Sequence, residues 1–170
     1  DKRVLIIDAN FRRPGAHRVF ALRENPGLSD ALSGSSVDDC IQSIGDGNLN
    51  LMSAGTRDKR VFEMFSSEKF SRLLAQLKER YDVILIDAAP ALVASDGAAI
   101  ANRADASVLV VRALGEKRGL VARLRNDLME TRGEFLGVVV NAVKPSAGGY
   151  IRGNMRATHE YQNPGEAQAA

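Results

Sequence analysis

Short apolar runs alternate with amphipathic stretches along this chain, and the alternation predicts an α/β fold. The runs are rich in β-branched residues and contain few polar positions, which is typical of strands buried on both faces of a parallel sheet. Strands are predicted at Val4–Ile7, Leu49–Met52, Val83–Ile86, Val108–Val111 and Leu136–Val140.

Helices are predicted between these runs, where apolar residues recur three and four positions apart. The spacing predicts a helix over Phe70–Arg80, capped at its start by Ser66 or Ser67. Further helices are predicted over Leu28–Ser33, from Ser95 through Ala101 and from about Lys117 to Arg132. The order of elements predicts a mostly parallel sheet flanked by helices, with right-handed crossovers.

The apolar pattern ends at Pro145, which divides the chain into two parts. Residues 1–145 are long enough for one domain with its own core. Residues 146–170 are rich in Gly, Asn, Gln and Ala and have no apolar period. They predict a polar, flexible C-terminal tail that carries two tyrosines.

Composition narrows the class of protein. The 170 residues contain 23 Lys and Arg against 21 Asp and Glu, a net charge of +2, which predicts no general attraction to nucleic acid. No apolar run approaches the ~20 residues of a membrane span, and no signal peptide is visible. Cys40 is the single cysteine, so an internal disulfide is impossible and a reducing cytoplasm is expected.

Polar side chains follow the predicted strands at their carboxyl ends. Asp8 ends the first strand, Asp87 ends the third, and Asn141 ends the last. Ligands of open parallel sheets bind at this edge, where carboxylates hold Mg²⁺ and arginines such as Arg12 neutralise phosphate. Each Asp taken singly is equally well read as a turn former, and Asn141 as the end of a turn. The pair of aspartates favours a magnesium–phosphate ligand.

Five segments resemble, in order and spacing, the cytoplasmic kinase domains of bacterial tyrosine autokinases. These are the ATPase modules of capsular and exopolysaccharide chain-length regulators, related to the MinD/ParA ATPases. Val4–Pro14 is similar to their second Walker-type motif, and Tyr81–Pro90 to their Walker B segment. The other matching segments are Gly27–Gly34, Asn48–Leu51 and Leu136–Asn141.

The resemblance implies a kinase that uses ATP and Mg²⁺. It makes Asp8 a catalytic base or positioning carboxylate beside the γ-phosphate, and Arg12 a catalytic arginine near the phosphate or a neighbouring subunit. Asp87 would hold Mg²⁺ through water, with a weak contribution from Asn10, where the family usually has Asp. Asn141 would contact the adenine.

The resemblance also concerns the tail and the partners. Tyr161 and Tyr150 lie where the family carries its autophosphorylated tyrosines. A homo-oligomer and a membrane chain-length regulator, as a subunit or a domain, are implied, with the chain at the inner face of the cell membrane.

One family motif is absent: no Gly-Lys-Ser/Thr phosphate loop occurs in the sequence. In the family that loop precedes the strand at Val4–Ile7, so the first strand, loop and helix are expected upstream of Asp1, and these residues alone are expected to be inactive. Three alternatives remain: a MinD/ParA-type positioning ATPase, a degenerate module that binds a partner, and, ranked last, a receiver domain with Asp87 as phosphoacceptor.

Overall fold

The computed structural model describes residues 2–56, 61–91, 96–113, 115 and 117–143, apart from the side chains of residues 61 and 62. Six strands and six helices lie in these ranges. The strands are β1 (Val4–Ala9), β2 (Gln42–Ile44), β3 (Leu49–Met52), β4 (Val83–Ala88), β5 (Ala106–Arg112) and β6 (Glu134–Asn141). The helices are α1 (Ala16–Val19), α2 (Leu28–Ser33), α3 (Val61–Met64), α4 (Glu68–Lys78), α5 (Asp96–Ala101) and α6 (Arg118–Met129).

The chain divides into two compact units, of which the first comprises Asp1–Ser107 with Asp127–Glu134. Its sheet has the strand order β2-β3-β1-β4. Strand β1 is parallel to β3 and to β4, so their carboxyl ends lie at one edge. The register places Asp8 directly beside Asp87.

One face of this sheet carries the core. Leu5, Ile7 and Ala9 of β1 are buried there, because alternate residues of a strand point to the same face. Helix α4 contributes the predicted stripe of four buried side chains, each worth about 2 kcal/mol of burial: Phe70, Leu73, Leu74 and Leu77. The ring of Phe65 packs edge-on against that of Phe70 at 5.2 Å.

Helix α2 lies tightly against the end of β3. The backbone N–H groups of Leu28 and Ser29 donate to the carbonyls of Ser53 and Ala54 at 2.8 and 3.0 Å. A Cβ atom at Gly27 would collide with the backbone of Ser53. Glycine is therefore required at position 27, and the predicted helix over Leu28–Ser33 is confirmed.

Strand β2 was not among the predicted elements, nor were α1 and α3. Strand β2 has three residues, pairs antiparallel with β3 and has no apolar run. Its first residue, Gln42, is buried because its amide exchanges hydrogen bonds with the backbone N–H and carbonyl of Arg23. A strand held by such a distant contact carries no local signal.

The second unit comprises Val108–Asn126 with Phe135–Ala170. Strands β5 and β6 form a two-stranded sheet. Helix α6 has no fully buried residue. One face of the sheet exposes apolar side chains, so the prediction that all strands are buried on both faces is wrong for this pair. The residues on that face are Val108, Val110, Leu136, Val138 and Val140, and Val139 of β6 is exposed as well.

The predicted serine cap of α4 is wrong. Ser67 occupies the N-cap position of α4, but its hydroxyl donates backwards to the carbonyl of Met64 at 2.6 Å and caps no helical N–H. Ser95, the tail over residues 146–170 and the tyrosines Tyr150 and Tyr161 lie outside the described residues. Among the residues described, no helix has the length and hydropathy needed to cross a bilayer.

Candidate functional site

Asp8 is fully buried at the carboxyl end of β1 and organises the loop that follows. Its Oδ1 accepts the backbone N–H of Asn10 at 3.0 Å, and its Oδ2 accepts those of Gly15 and Ala16 at 2.9 and 3.0 Å. A carboxylate with both oxygens engaged by backbone donors folds residues 10–16 around itself. This geometry fits the positioning role predicted for Asp8, because backbone donors occupy three of the roughly four acceptor sites of its carboxylate.

The turn after Asp8 presents two arginines. The amide oxygen of Asn10 accepts the backbone N–H of Arg13, three residues further on, at 3.2 Å and so fixes the path of residues 10–13. The side chains of Arg12 and Arg13 are exposed, and Pro14 is buried. The oxygen of Asn10 is therefore engaged in the turn, and its weak metal role stays a prediction.

Asp87 lies beside Asp8 on the neighbouring strand, on the same face of the sheet. Its side chain is exposed, unlike that of Asp8. Desolvation by the surrounding protein, and then the negative charge of Asp8, raise the pKa of Asp87 above its ordinary value. Two adjacent carboxylates of which one is raised in pKa form a site that a cation would stabilise.

The residues present suit Mg²⁺ held partly through water. Asp8 is committed to the backbone, so Asp87 is the carboxylate with an accessible surface. Within the described ranges there is no cluster of three or more His, Cys, Asp or Glu side chains that could hold a metal alone. Mg²⁺ is ordinarily bound by one or two carboxylates together with waters and substrate phosphates, which fits this donor set.

A third carboxylate, Asp96, was missed by the sequence analysis. It is the first residue of α5, which packs against β4. Its side chain is buried, and its Oδ2 has no hydrogen-bond partner within the described part of the chain. Burial raises the pKa of Asp96, while the positive charge of Arg12 lowers it. Acidic residues are so common at the start of helices that the sequence offered no reason to single out Asp96.

A surface cavity lies away from these residues. It has a volume of about 730 Å³. It lies beside α3 and α4, and its lining mixes carboxylates with cations: Ser33, Glu63, Met64, Ser67, Glu68, Lys69 and Arg72. None of the predicted site residues borders it, and its mixed charge does not favour a phosphate ligand.

Asn141 belongs to the second unit, at the end of β6. It is exposed, and its amide oxygen accepts the backbone N–H of Ala142 at 2.7 Å. The local geometry is thus that of a turn, and contact with adenine stays a prediction. The structure brings together Asp8, Asn10 and Asp87 at one strand edge, and Arg12 lies in the turn that follows β1.

Comparison with known proteins identifies relatives of the chain, although no family model matches it. The tyrosine-protein kinase ptk of Acinetobacter johnsonii is 31% identical over 151 residues, which cover 88% of this chain and 21% of ptk. The tyrosine-protein kinase YwqD of Bacillus subtilis is 30% identical over 146 residues, covering 85% of this chain and 62% of YwqD. The chain thus spans less than two thirds of the length of either relative.

Solved structures agree with the sequence relatives. The kinase domain of VpsO superimposes with a TM-score of 0.78 at 31% identity, covering 84% of this chain and 71% of that domain. The cell division ATPase MinD of Pyrococcus furiosus has a TM-score of 0.68 at 21% identity, covering 86% of this chain and 62% of that one, and shares the fold. The predicted α/β class of MinD/ParA type is confirmed. By its identity with the VpsO kinase domain and its relation to ptk and YwqD, the chain belongs to the family of bacterial tyrosine-protein kinases.

Proposed function

We propose that this chain is the catalytic part of a tyrosine autokinase that acts in capsular or exopolysaccharide synthesis and export. The observation that carries the proposal is the pair Asp8 and Asp87, side by side on adjacent parallel strands, with the turn that contains Arg12 directly after β1. Phosphoryl transfer needs little covalent chemistry from the protein and is catalysed by positioning and charge, which this edge offers.

Each residue at the edge has a separate task in this proposal. Asp8 holds the loop over residues 10–16 in place and thereby positions the acceptor hydroxyl, rather than removing its proton. Asp87 holds Mg²⁺ through water, with Asn10 as a weak contributor. Arg12 neutralises charge on the transferred phosphoryl oxygens. When bound, Mg²⁺ would stabilise the negative charge that develops on the phosphates of ATP.

Nucleotide binding requires more than this edge. The sequence has no Gly-Lys-Ser/Thr loop, whose backbone N–H groups supply most phosphate contacts in such ATPases. We therefore expect residues 1–170 alone to bind Mg-ATP weakly, with Asn141 contributing at the adenine. Isothermal titration checks this, and micromolar binding by these residues alone would show that the nucleotide site has been misplaced.

The acceptor and partner residues follow from the family. Tyr161, and next Tyr150, are proposed as acceptors in the tail. An acceptor hydroxyl must come within about 3–3.5 Å of the phosphoryl group. We propose that it reaches the Asp8 edge of a neighbouring copy in a homo-oligomer. A membrane chain-length regulator would keep the chain on the cytoplasmic face of the membrane.

The test is phosphotyrosine mapping by mass spectrometry after the full-length protein is incubated with Mg-ATP. Phosphate is expected on Tyr161 and less on Tyr150, and it should be lost in Asp87→Asn and in the Tyr150→Phe/Tyr161→Phe pair. Asp39→Asn makes the same chemical change at an exposed carboxylate and serves as the matched control. Oligomers should dissociate as phosphate accumulates, because each phosphate brings almost two negative charges towards Asp8 and Asp87.

Two other functions would be revealed by the same experiment. The similarity of fold to MinD favours a positioning ATPase as the second candidate. ATP hydrolysis without any tail phosphotyrosine would support it. Asn10, which stands where the family usually has Asp, favours a degenerate module that binds a partner. Absence of both hydrolysis and phosphate from the full-length protein would support that third function.

A further inference from the structure

A second cleft, with a volume of about 400 Å³, lies in the first unit between α4 and the end of α5. We call it the arginine cleft, and its lining residues are Ser66, Ser71, Ala99, Asn102, Arg103 and Arg132. None of these six residues is acidic, whereas the cavity beside α3 and α4 is lined by carboxylates as well as cations. A concave surface with two guanidinium groups and no carboxylate favours an anionic ligand.

The guanidinium of Arg103 is held in place by hydrogen bonds to three separate segments. Its Nη2 donates to the carbonyl of Ser66 at 2.6 Å, and its Nη1 donates to the carbonyl of Ala99 at 3.1 Å. Its Nε donates to the hydroxyl of Ser71 at 3.2 Å. A guanidinium has five N–H donors, so these bonds leave two of them for a ligand. Because the Ser71 oxygen accepts from Arg103, its own O–H can donate to another acceptor.

Arg132 lies on a turn that packs closely against the end of α5. Its backbone N–H donates to the amide oxygen of Asn102 at 3.2 Å. A Cβ atom at the next residue, Gly133, would lie 2.7 Å from the carbonyl oxygen of Ala104, so a residue without a Cβ is needed for this approach. Arg132 is exposed, and its guanidinium forms no hydrogen bond or ion pair within the described part of the chain. The backbone of Arg132 is therefore fixed while its charge remains available to a ligand.

We propose that the arginine cleft binds the phosphate group of a phosphate monoester. The groups that remain unpaired in the cleft are donors, and the oxygens of an ionised phosphate are strong acceptors. A monoester carries close to two negative charges at pH 7, which matches the charges of Arg103 and Arg132, whereas a carboxylate carries one. Donors that are already fixed in place reduce the entropy lost on binding. The volume of the cleft is in the range typical of small-molecule sites, which leaves room for an organic group beside the phosphate.

The source of the monoester is a separate question from its chemistry. Phosphotyrosine is the monoester that the protein itself would produce, and this identification rests on the proposed function. The cleft does not rest on it, because none of its residues has been assigned a part in phosphoryl transfer. With phosphotyrosine as its ligand, the cleft would distinguish phosphorylated copies of the chain from unphosphorylated ones.

Isothermal titration of the full-length protein with phenyl phosphate tests the site. The protein carries Tyr150→Phe and Tyr161→Phe, so that no tail phosphotyrosine can compete, and chelator removes Mg²⁺ from the Asp87 edge. We expect Arg132→Gln to weaken binding about tenfold or more, because charge-assisted hydrogen bonds are lost. Arg123→Gln, at an exposed arginine of α6 outside the cleft, is the matched control and should bind like the parent protein. Equal binding in Arg132→Gln and its parent, or no binding by the parent at about 10 mM, would overturn the proposal.

Two further probes establish which ligand chemistry the cleft recognises. Benzoate should bind more weakly than phenyl phosphate, since it has one negative charge. Equal affinities would overturn the assignment to phosphate. Inorganic phosphate should bind no more tightly than phenyl phosphate, and the opposite order would assign the cleft to the free ion instead of an ester. These titrations need no turnover. If phenyl phosphate binds through Arg132 but the wild type forms no phosphotyrosine with Mg-ATP, the kinase function fails and the cleft stands. Phosphotyrosine formation without binding at Arg132 gives the converse result.

Discussion

Asp87→Asn should make the metal-free protein more stable at neutral pH while abolishing Mg²⁺-dependent turnover. The pKa of Asp87 is raised in the folded state by desolvation and by Asp8. A carboxyl that binds its proton more tightly in the folded state stabilises the fold when protonated, and that contribution is lost as the pH rises through the folded pKa. At pH 7 the ionised side chain of Asp87 therefore destabilises the fold. The isosteric amide of asparagine removes this destabilisation.

The magnitude follows from the spacing of the two strands. Adjacent strands lie about 4.8 Å apart, and carboxylates at roughly 5.5 Å repel by about 0.8 kcal/mol in a dielectric of 80 and about 3 kcal/mol in one of 20. The exposure of Asp87 favours the lower end because water screens its charge. We expect a gain of about 1 kcal/mol in the free energy of unfolding.

Urea unfolding of the wild type, Asp87→Asn and Asp39→Asn in chelator measures this gain. The difference between the wild type and Asp87→Asn should shrink as the pH is lowered and Asp87 takes up its proton, which its raised pKa makes easier in the folded state. Millimolar Mg²⁺ should stabilise the wild type and not Asp87→Asn. A loss of stability in Asp87→Asn at pH 7 would refute the reasoning, because it would mean that the carboxylate makes structural turn contacts.

Three further predictions concern the supports of the site. Asp8→Asn should cost about 2–3 kcal/mol in urea unfolding, because the amide NH₂ must face at least one of three buried N–H donors; a cost near zero would contradict the hydrogen bonds described. Gly27→Ala should lower Tm by several degrees, because its Cβ meets backbone, whereas Gly97→Ala, which meets nothing within 4 Å, should not. Arg3 holds the pKa of Asp82 down to about 2; its contribution to stability should be present above pH 4 and lost as the pH falls towards 2, and Asp82→Asn should remove that acid limb.

Much of the fold could be predicted because its signals are local. The apolar runs located all strands but β2, and the spacing of Phe70, Leu73 and Leu77 located α4. The placement of Asp8 and Asp87 at one edge of the sheet followed from parallel strands with the same Ile-Asp ending, and their direct adjacency was added by the structure. These features depend on residues close in sequence and on one topological rule.

The remaining features depend on contacts between distant residues. Asp96 reads as an ordinary acidic helix start, and its burial arises from the packing of α5 on β4. Likewise, the sequence does not reveal that Asp8 accepts from Gly15 and Ala16, because that requires the loop to close back on the strand. The roles of Asn10, Asn141 and the tail tyrosines stay predictions.

The two-stranded sheet of β5 and β6 is expected to unfold locally sooner than the sheet of the first unit. A pair of strands with an exposed apolar face, beside a helix without a buried residue, has little to resist local unfolding. Backbone amides of Val108–Val111 should therefore exchange with deuterium earlier than those of Leu5 and Ile7, which are enclosed in the first unit. If Asn141 contacts a nucleotide, binding would slow amide exchange in β6. Amide protection of this strand would then measure how much of the nucleotide site is occupied.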